Sequence, residues 1–394
     1  MVLESVADFV VRNRVVVLFY LVVALLVFLF RRKFKFYAKV IAMYRTTFGI
    51  SFMDRIASRH TELVRLFGYI SVGVGFVGMF FIVFSLFQGV YNFFAVPNSP
   101  PAVAPILPGV RIPGVSFFIP LVKGVIAIFV VALIHEFAHG IVARAHGISV
   151  KSTGLAIVGP FFAAFVEPDE VQLKKKSDVV NYSMVAAGPV ANVLSFFVIV
   201  FLVSFVFSPV VGVFYPNTGI SFSSITPESP AADAGLEQGV VYTSVNGVPV
   251  SSVADFISAF ERVKPGEAVV LESSGRSYSV VAGSSPKDSS KAYLGVNVQN
   301  RFVNDSAFHF RVVSWLMELF SLIGVLSLGI GLANLLPIAP LDGGKMLQQA
   351  LHKVKGDEKK GNRALVKISL FFFLIILLLM SPVLKASFKA LFGS

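Results

Sequence analysis

A chain of 394 residues in which 55% are hydrophobic and only 14% charged cannot be a single soluble domain; this is the composition of an integral membrane protein. The net charge of +12 does not point to nucleic acid, because the Lys and Arg residues cluster beside apolar runs, as the positive-inside rule expects. With no cysteine there is neither a disulfide framework nor a thiolate metal site, so any metal must rest on His, Asp or Glu.

Val15 to Phe30 is an unbroken apolar run. Arg12 and Arg14 precede it as in a signal peptide, but Arg31, Arg32 and Lys33 follow it and no small-residue cleavage site ends it, so an uncleaved span is expected. Arg31 to Arg65 reads as a basic polar loop, and Leu66 to Tyr91 as a second span interrupted only by glycines. Val96 to Pro120 holds Pro97, Pro100, Pro101, Pro105, Pro108, Pro113 and Pro120, which excludes a helix and predicts an extended loop.

The third apolar run, Val115 to Gly147, contains His135-Glu136-Phe137-Ala138-His139. On a helix the two histidines lie four positions apart on one face with Glu136 beside them, the HExxH arrangement of a metal site and its general base. A histidine pair packed inside a bundle would share this spacing, but three ionisable groups in an apolar helix are costly to bury without a partner.

Ile148 to Pro168 is apolar yet punctuated by Gly and Pro, which predicts a re-entrant, strand-like segment at membrane level, buried against protein. Lys174, Lys175 and Lys176 mark a solvated loop, and Tyr182 to Val211 is a fourth span. From Gly219 to Asn300 the chain turns polar, with short alternating strands and an amphipathic helix at Ser252 to Val263, so a soluble insert is expected. Val312 to Leu336 and Ala364 to Leu384 complete six spans. Counting Lys and Arg in the connecting segments gives 20 on one side and 12 on the other, most of the latter in the long insert, which the positive-inside rule discounts. The HExxH helix then ends near the cytoplasm, with the insert and the termini outside.

The fifth span runs out in Asn334-Leu-Leu-Pro-Ile-Ala-Pro-Leu-Asp342-Gly343-Gly344-Lys345. The topology brings this end to the side of His139, so Asp342 is the candidate third ligand, with a fourth position left open for water. Glu167 is the rival carboxylate, more simply a loop acid at the membrane edge.

The two motifs, with Gly188-Pro189-Val-Ala-Asn192 on the intervening helix, resemble the site-2 protease family of intramembrane zinc metalloproteases. The resemblance implies that His135, His139 and Asp342 hold zinc and that Glu136 takes the proton from the attacking water. It further implies that Asn192, and with it Asn334, positions the substrate or its developing oxyanion; interhelical hydrogen bonding is the plainer role for both asparagines. The insert resembles a PDZ domain through Ser229-Pro230-Ala-Ala-Asp-Ala-Gly235-Leu236 and Asn246-Gly247, which implies capture of a peptide C-terminus or exclusion of bulky substrates.

The expected architecture is mainly α: a multi-pass membrane protein of about six spans, with a membrane-level β segment and a soluble α/β PDZ-like domain. The divisions are an accessory helix pair (1–92), a first part of the catalytic core (93–218), the insert (219–300) and a second part of the core (301–394). The expected activity is zinc-dependent hydrolysis of a peptide bond within or near a membrane helix of another protein, after that protein has been trimmed. The expected partners are a membrane-protein substrate and the bilayer, with no nucleic acid. An inactive scaffold or a transporter is the alternative, but neither gives a reason for Glu136 between two histidines.

Overall fold

The computed structural model describes residues 11, 13–37, 41–96, 99–115, 117–159, 161–273, 275–285 and 288–392. Arg12, Pro97 and Pro160, and residues 286 and 287 of the insert, lie outside the described residues. The chain divides into two compact units, Met1–Val200 with Leu319–Ser394, and Phe201–Glu318.

The first unit opens with helix α1 (Arg14–Leu29), whose 16 residues span about 24 Å at 1.5 Å each, less than a bilayer core of about 30 Å. The stretch expected as a polar loop is instead ordered. Strands β1 (Phe34–Tyr37) and β2 (Ile41–Thr46) pair antiparallel, and the amphipathic helix α2 (Ile50–Arg59) follows from a left-handed Gly49. A Cβ at Gly49 would run into the Phe137 ring, so only glycine fits this cap. Its charge disguised this stretch, because the order of its short elements comes from partners far away in the chain, as where Arg45 meets Glu167 and Arg65 meets the Ala145 carbonyl.

Helix α3 (Thr61–Ala95) is the first long span, and the proline-rich segment ends at Pro120, from which α4 (Leu121–Ala145) starts. Helix α4 stops at His146, with Gly147 left-handed behind it. The expected re-entrant segment is a hairpin of β3 (Val150–Val158) and β4 (Phe161–Pro168). It does not stand alone. Strand β2 pairs with β3 from Ile41↔Val158 to Thr46↔Thr153, giving a four-stranded sheet in the order β1-β2-β3-β4. Strand β3 is therefore internal and β4 carries an open edge. The short helix α5 (Glu170–Lys174) is capped by Asp169, and α6 (Asp178–Phe201) continues through a π-helical stretch, Leu202–Phe207, into α7 (Ser208–Phe214).

The second unit is built from short strands. Strand β5 (Asn217–Ile225) leads to helix α8 (Pro230–Asp233), then β6 (Val241–Tyr242), β7 (Ser244–Val245) and β8 (Val248–Pro249). The expected amphipathic helix is α9 (Val253–Phe260), with a capping box between Ser252 and Asp255. Strands β9 (Ala268–Ser273), β10 (Arg276–Val281), β11 (Gly283–Ser285), β12 (Asp288–Tyr293) and β13 (Val296–Phe302) follow. Two sheets, β13-β5-β6 and β10-β9-β7-β8, enclose a core that includes Phe222, Tyr242, Phe256 and Leu271.

Helix α10 (Phe308–Asn334) returns to the first unit, a turn through 335–341 reverses the chain, and α11 (Asp342–Lys355) and α12 (Glu358–Phe392) complete it. Among the described residues, five helices are long and apolar enough to cross a membrane: Thr61–Ala95, Leu121–Ala145, Asp178–Phe214, Phe308–Asn334 and Glu358–Lys389. Against the expected six, the remaining run is the shorter α1, and the polar segment expected between the last two spans is mostly helix α11. The first unit packs through small side chains. Ala143 of α4, Ala186 and Ala187 of α6 and Met346 of α11 are fully buried in one cluster with Val142 and Leu335. Such residues let helix backbones approach closely, which is what brings α4, α6 and α11 to a common point.

Candidate metal centre

Helix α4 supplies His135 and His139, α6 supplies Asn192 and Gly188, and the first turn of α11 supplies Asp342. The path of Asp342 depends on its glycines. A Cβ on Gly343 would lie 2.2 Å from the Leu335 carbonyl oxygen, and one on Gly344 would lie 2.4 Å from that of Ile338. Only bare α-carbons let the turn through 335–341 fold over the start of α11 and push Asp342 inward, where it is 5% exposed beside His135 at 6%.

Three donor atoms meet there. His135 Nε2 is 3.0 Å from Asp342 Oδ2 and 3.1 Å from His139 Nε2, and His139 Nε2 is 3.2 Å from Asp342 Oδ2. Zinc bonds of 2.0–2.1 Å in a tetrahedron require ligand atoms about 3.3 Å apart, so this triangle fits the ion with little movement. A second observation agrees. A Cβ on Gly188 would sit 2.3 Å from His139 Nε2 and 2.8 Å from His135 Nε2, so the glycine keeps open the space those nitrogens face.

The groups behind the ligands set their tautomers. His139 Nδ1 lies 2.7 Å from the Met184 carbonyl; it can only donate there, which leaves Nε2 as a bare lone pair. His135 Nδ1 lies 3.2 Å from the Asn192 amide, whose Oδ1 is otherwise buried without a partner. Exchanging the amide's O and N satisfies Oδ1 with the Nδ1 proton and again frees Nε2. Asn192 thus holds the His135 ring from the neighbouring helix, the interhelical hydrogen bond expected of it beside a role on the oxyanion. Lys345 Nζ donates to Asp342 Oδ1 at 3.0 Å, which occupies one carboxylate oxygen and leaves Oδ2 for the centre.

Glu136 stands beside the triangle, and the ligand atoms of His135, Glu136 and His139 lie within 4.8 Å of one another. Its Oε2 accepts the Val166 backbone N–H at 2.9 Å, which ties it to β4. Glu167, the rival ligand, is engaged elsewhere: its Oε2 accepts from Ser152 Oγ at 2.6 Å and Arg45 Nε at 3.0 Å. Asn334 donates to the Ile330 carbonyl of its own helix at 3.0 Å. The Met184 carbonyl and the Val166 amide escaped the sequence reading, while Gly188 and Lys345 stood in its motifs without a role of their own; the signal for Lys345 is its i,i+3 spacing from Asp342 at the start of a helix.

Two cavities reach Glu136. A cleft of about 620 Å³ is lined by Arg45, Glu136, His139, Glu167, Asp342, Lys345 and others. A smaller cavity of about 250 Å³ reaches it between α4 and the sheet. A buried three-donor centre with a neighbouring carboxylate and open space on one side is suited to hydrolysis.

Residues 123–379 match Peptidase family M50. The uncharacterised protein MJ0971 of Methanocaldococcus jannaschii is 25% identical over 317 residues, 78% of this chain and 77% of that protein. The zinc metalloproteases RasP of Geobacillus kaustophilus and Shouchella clausii are 23% and 26% identical over 51% and 58% of this chain. These matches span 58% and 65% of the two RasP chains. Zinc is thus the metal that the His135–His139–Asp342 geometry fits, and the chain belongs to Peptidase family M50, membrane metalloproteases of the site-2 protease type.

Proposed function

We propose that this protein hydrolyses a peptide bond in or near a membrane helix of another protein, with His135, His139 and Asp342 holding zinc and Glu136 as the base. The observation that carries the reading is the triangle of donor atoms with Glu136 next to it. Zinc bound there would polarise the scissile carbonyl and acidify a water. Glu136 accepts that water's proton as its oxygen bonds to the carbonyl carbon, and returns the proton to the amine nitrogen as the C–N bond breaks. Asn192, the Met184 carbonyl and Lys345 hold the three side chains in orientation, with each Nε2 turned toward the centre.

A bond inside a helix has its carbonyl committed to the amide four residues on, so the substrate must be unwound and offered substitute hydrogen bonds. Strand addition at the sheet supplies them. Strand β3 is paired on both sides, so Leu155 to Val158 offers no free edge. Strand β4 is the available edge. In an antiparallel ladder a residue's N–H and C=O point the same way and alternate along the strand. The Val166 N–H points at Glu136, so Phe162 and Ala164 also direct theirs outward, along a line that leads to the base. The unit containing residues 219–300 would select substrates by peptide binding or by size, outside the membrane, with the centre toward the cytoplasm.

The decisive measurement is zinc content beside turnover for Glu136→Gln. Zinc is expected to stay, and turnover to fall by the roughly 10²–10⁴-fold that a general base contributes. A rate within about tenfold of wild type removes Glu136 from this role.

A further inference from the structure

The sheet beside the centre has two chemically different faces. Met43 and Arg45 of β2 and Glu167 of β4 line the large cleft, where the Arg45 guanidinium lies 5.9 Å from the Phe165 ring and 3.0 Å from Glu167. Gly154 makes this possible, since a Cβ there would meet Phe165 Cζ at 2.6 Å. On the other face, Tyr44 and Thr46 of β2, Thr153 and Leu155 of β3 and Ala164 of β4 line the smaller cavity, bordered by Phe129, Leu133 and Phe137 of α4; Gly154 also reaches it, and Phe165 and Val166 border both spaces. The division follows the register: Arg45, Gly154 and Phe165 are cross-strand partners, as are Tyr44, Leu155 and Ala164. Glu136 borders both cavities.

At about 250 Å³ the apolar cavity is below the roughly 300–1,000 Å³ of sites for free small molecules, and it suits one or two side chains. We infer that it is the subsite for a single apolar side chain of the substrate at the scissile bond, while the residue on the other side of that bond projects into the polar cleft. The inference rests on the proposed pairing of substrate with β4. A strand placed on that edge continues the pleat, so consecutive side chains fall on opposite faces. The two residues flanking the cleaved bond cannot both enter the cavity. Selectivity therefore has a period of two: one flanking position demands an apolar residue of Leu or Met size, and the other accepts polar and charged residues facing Arg45 and Glu167.

The test is digestion of a proteome-derived peptide library by the full-length, zinc-loaded protein in detergent, with cleavage sites read by mass spectrometry. Phe129→Ala should enlarge the cavity and Leu155→Phe should narrow it, and zinc content is measured for both. One methylene in an apolar pocket is worth about 10- to 200-fold in specificity. Phe129→Ala should accordingly raise cleavage after or before aromatic residues by tenfold or more, at one flanking position only, and Leu155→Phe should shift that same position toward Ala and Val. The inference is overturned if wild type selects alike at both positions, if both positions shift together, or if neither zinc-loaded variant shifts either. Ala164→Pro separates this from the pairing itself: turnover lost with zinc intact upholds strand addition even where the cavity variants leave selectivity unchanged. Absence of any cleavage by the zinc-loaded wild type overturns both.

Discussion

At the scale of single residues the centre is set by what stands behind the ligands as much as by the ligands. Gly188 and Asn192 sit one turn apart on α6, and their substitutions should fail differently. Gly188→Ala places a methyl where the two Nε2 atoms converge, and zinc should be lost outright although alanine is the better helix former. Asn192→Ala leaves the space open but frees the His135 ring, so zinc affinity should weaken by about 10–100-fold, as for other groups that orient a ligand. Competition with a chelator of known affinity reads both. Equal losses from the two variants would mean that Asn192 acts through packing alone.

At the scale of elements, the open edge of β4 invites a position-specific test. Ala164→Pro removes an outward amide, which an edge strand tolerates, so the fold and zinc should persist while turnover falls by tenfold or more if substrate pairs there. Ala163→Pro removes an amide directed at β3 and should instead damage the sheet, lowering thermal stability and zinc retention together. Helix α9 of the strand-rich unit carries a pH-dependent cap. The Asp255 carboxylate is held below the usual carboxylate range by hydrogen bonds, first from the Ser251 hydroxyl and then from Ser252. A depressed folded-state pKa contributes stability that is fully present above the ordinary Asp value of about 3.9 and is lost as pH falls through the lower folded value. Hydrogen exchange of α9, corrected for intrinsic rates, should show protection declining below about pH 4 in the wild type, and a weaker but flat profile in Asp255→Asn.

At the scale of the whole molecule, the chain inserts one compact unit into another, and the insertion can be undone. Asn217 and Phe302 are cross-strand partners at the ends of β5 and β13, so their Cα atoms lie about 5 Å apart. Excising 218–301 and joining them through a short Gly-Ser linker is gentler than cutting at 219 and 300, which stops inside the paired strands. The shortened protein should keep its zinc, because every ligand lies in the other unit. It should also lose discrimination between long and trimmed membrane substrates in a side-by-side cleavage assay. Unchanged discrimination would assign the unit another task.

The local features were legible in the sequence because each is carried by a contiguous stretch. The HExxH spacing puts two imidazoles on one face, a run of prolines stops helices, and an apolar segment punctuated by glycine becomes strand at Val150–Val158 and Phe161–Pro168. Ser252 and Asp255 write the start of α9 in four residues. What the sequence could not decide are the relations between distant segments. Nothing local announces that β2 covers one edge of the hairpin, since Ile41–Thr46 meets Thr153–Val158 only through the fold, and that pairing moves the open edge to β4. Likewise Asn192 has no spacing to His135 that a reader could use. The two meet because small residues let α4 and α6 approach closely, and the same contact presents the bare α-carbon of Gly188 to both Nε2 atoms. Residue type determined by itself that this chain could bind a metal in a membrane; close helix packing decided which atoms reach it and which strand faces them.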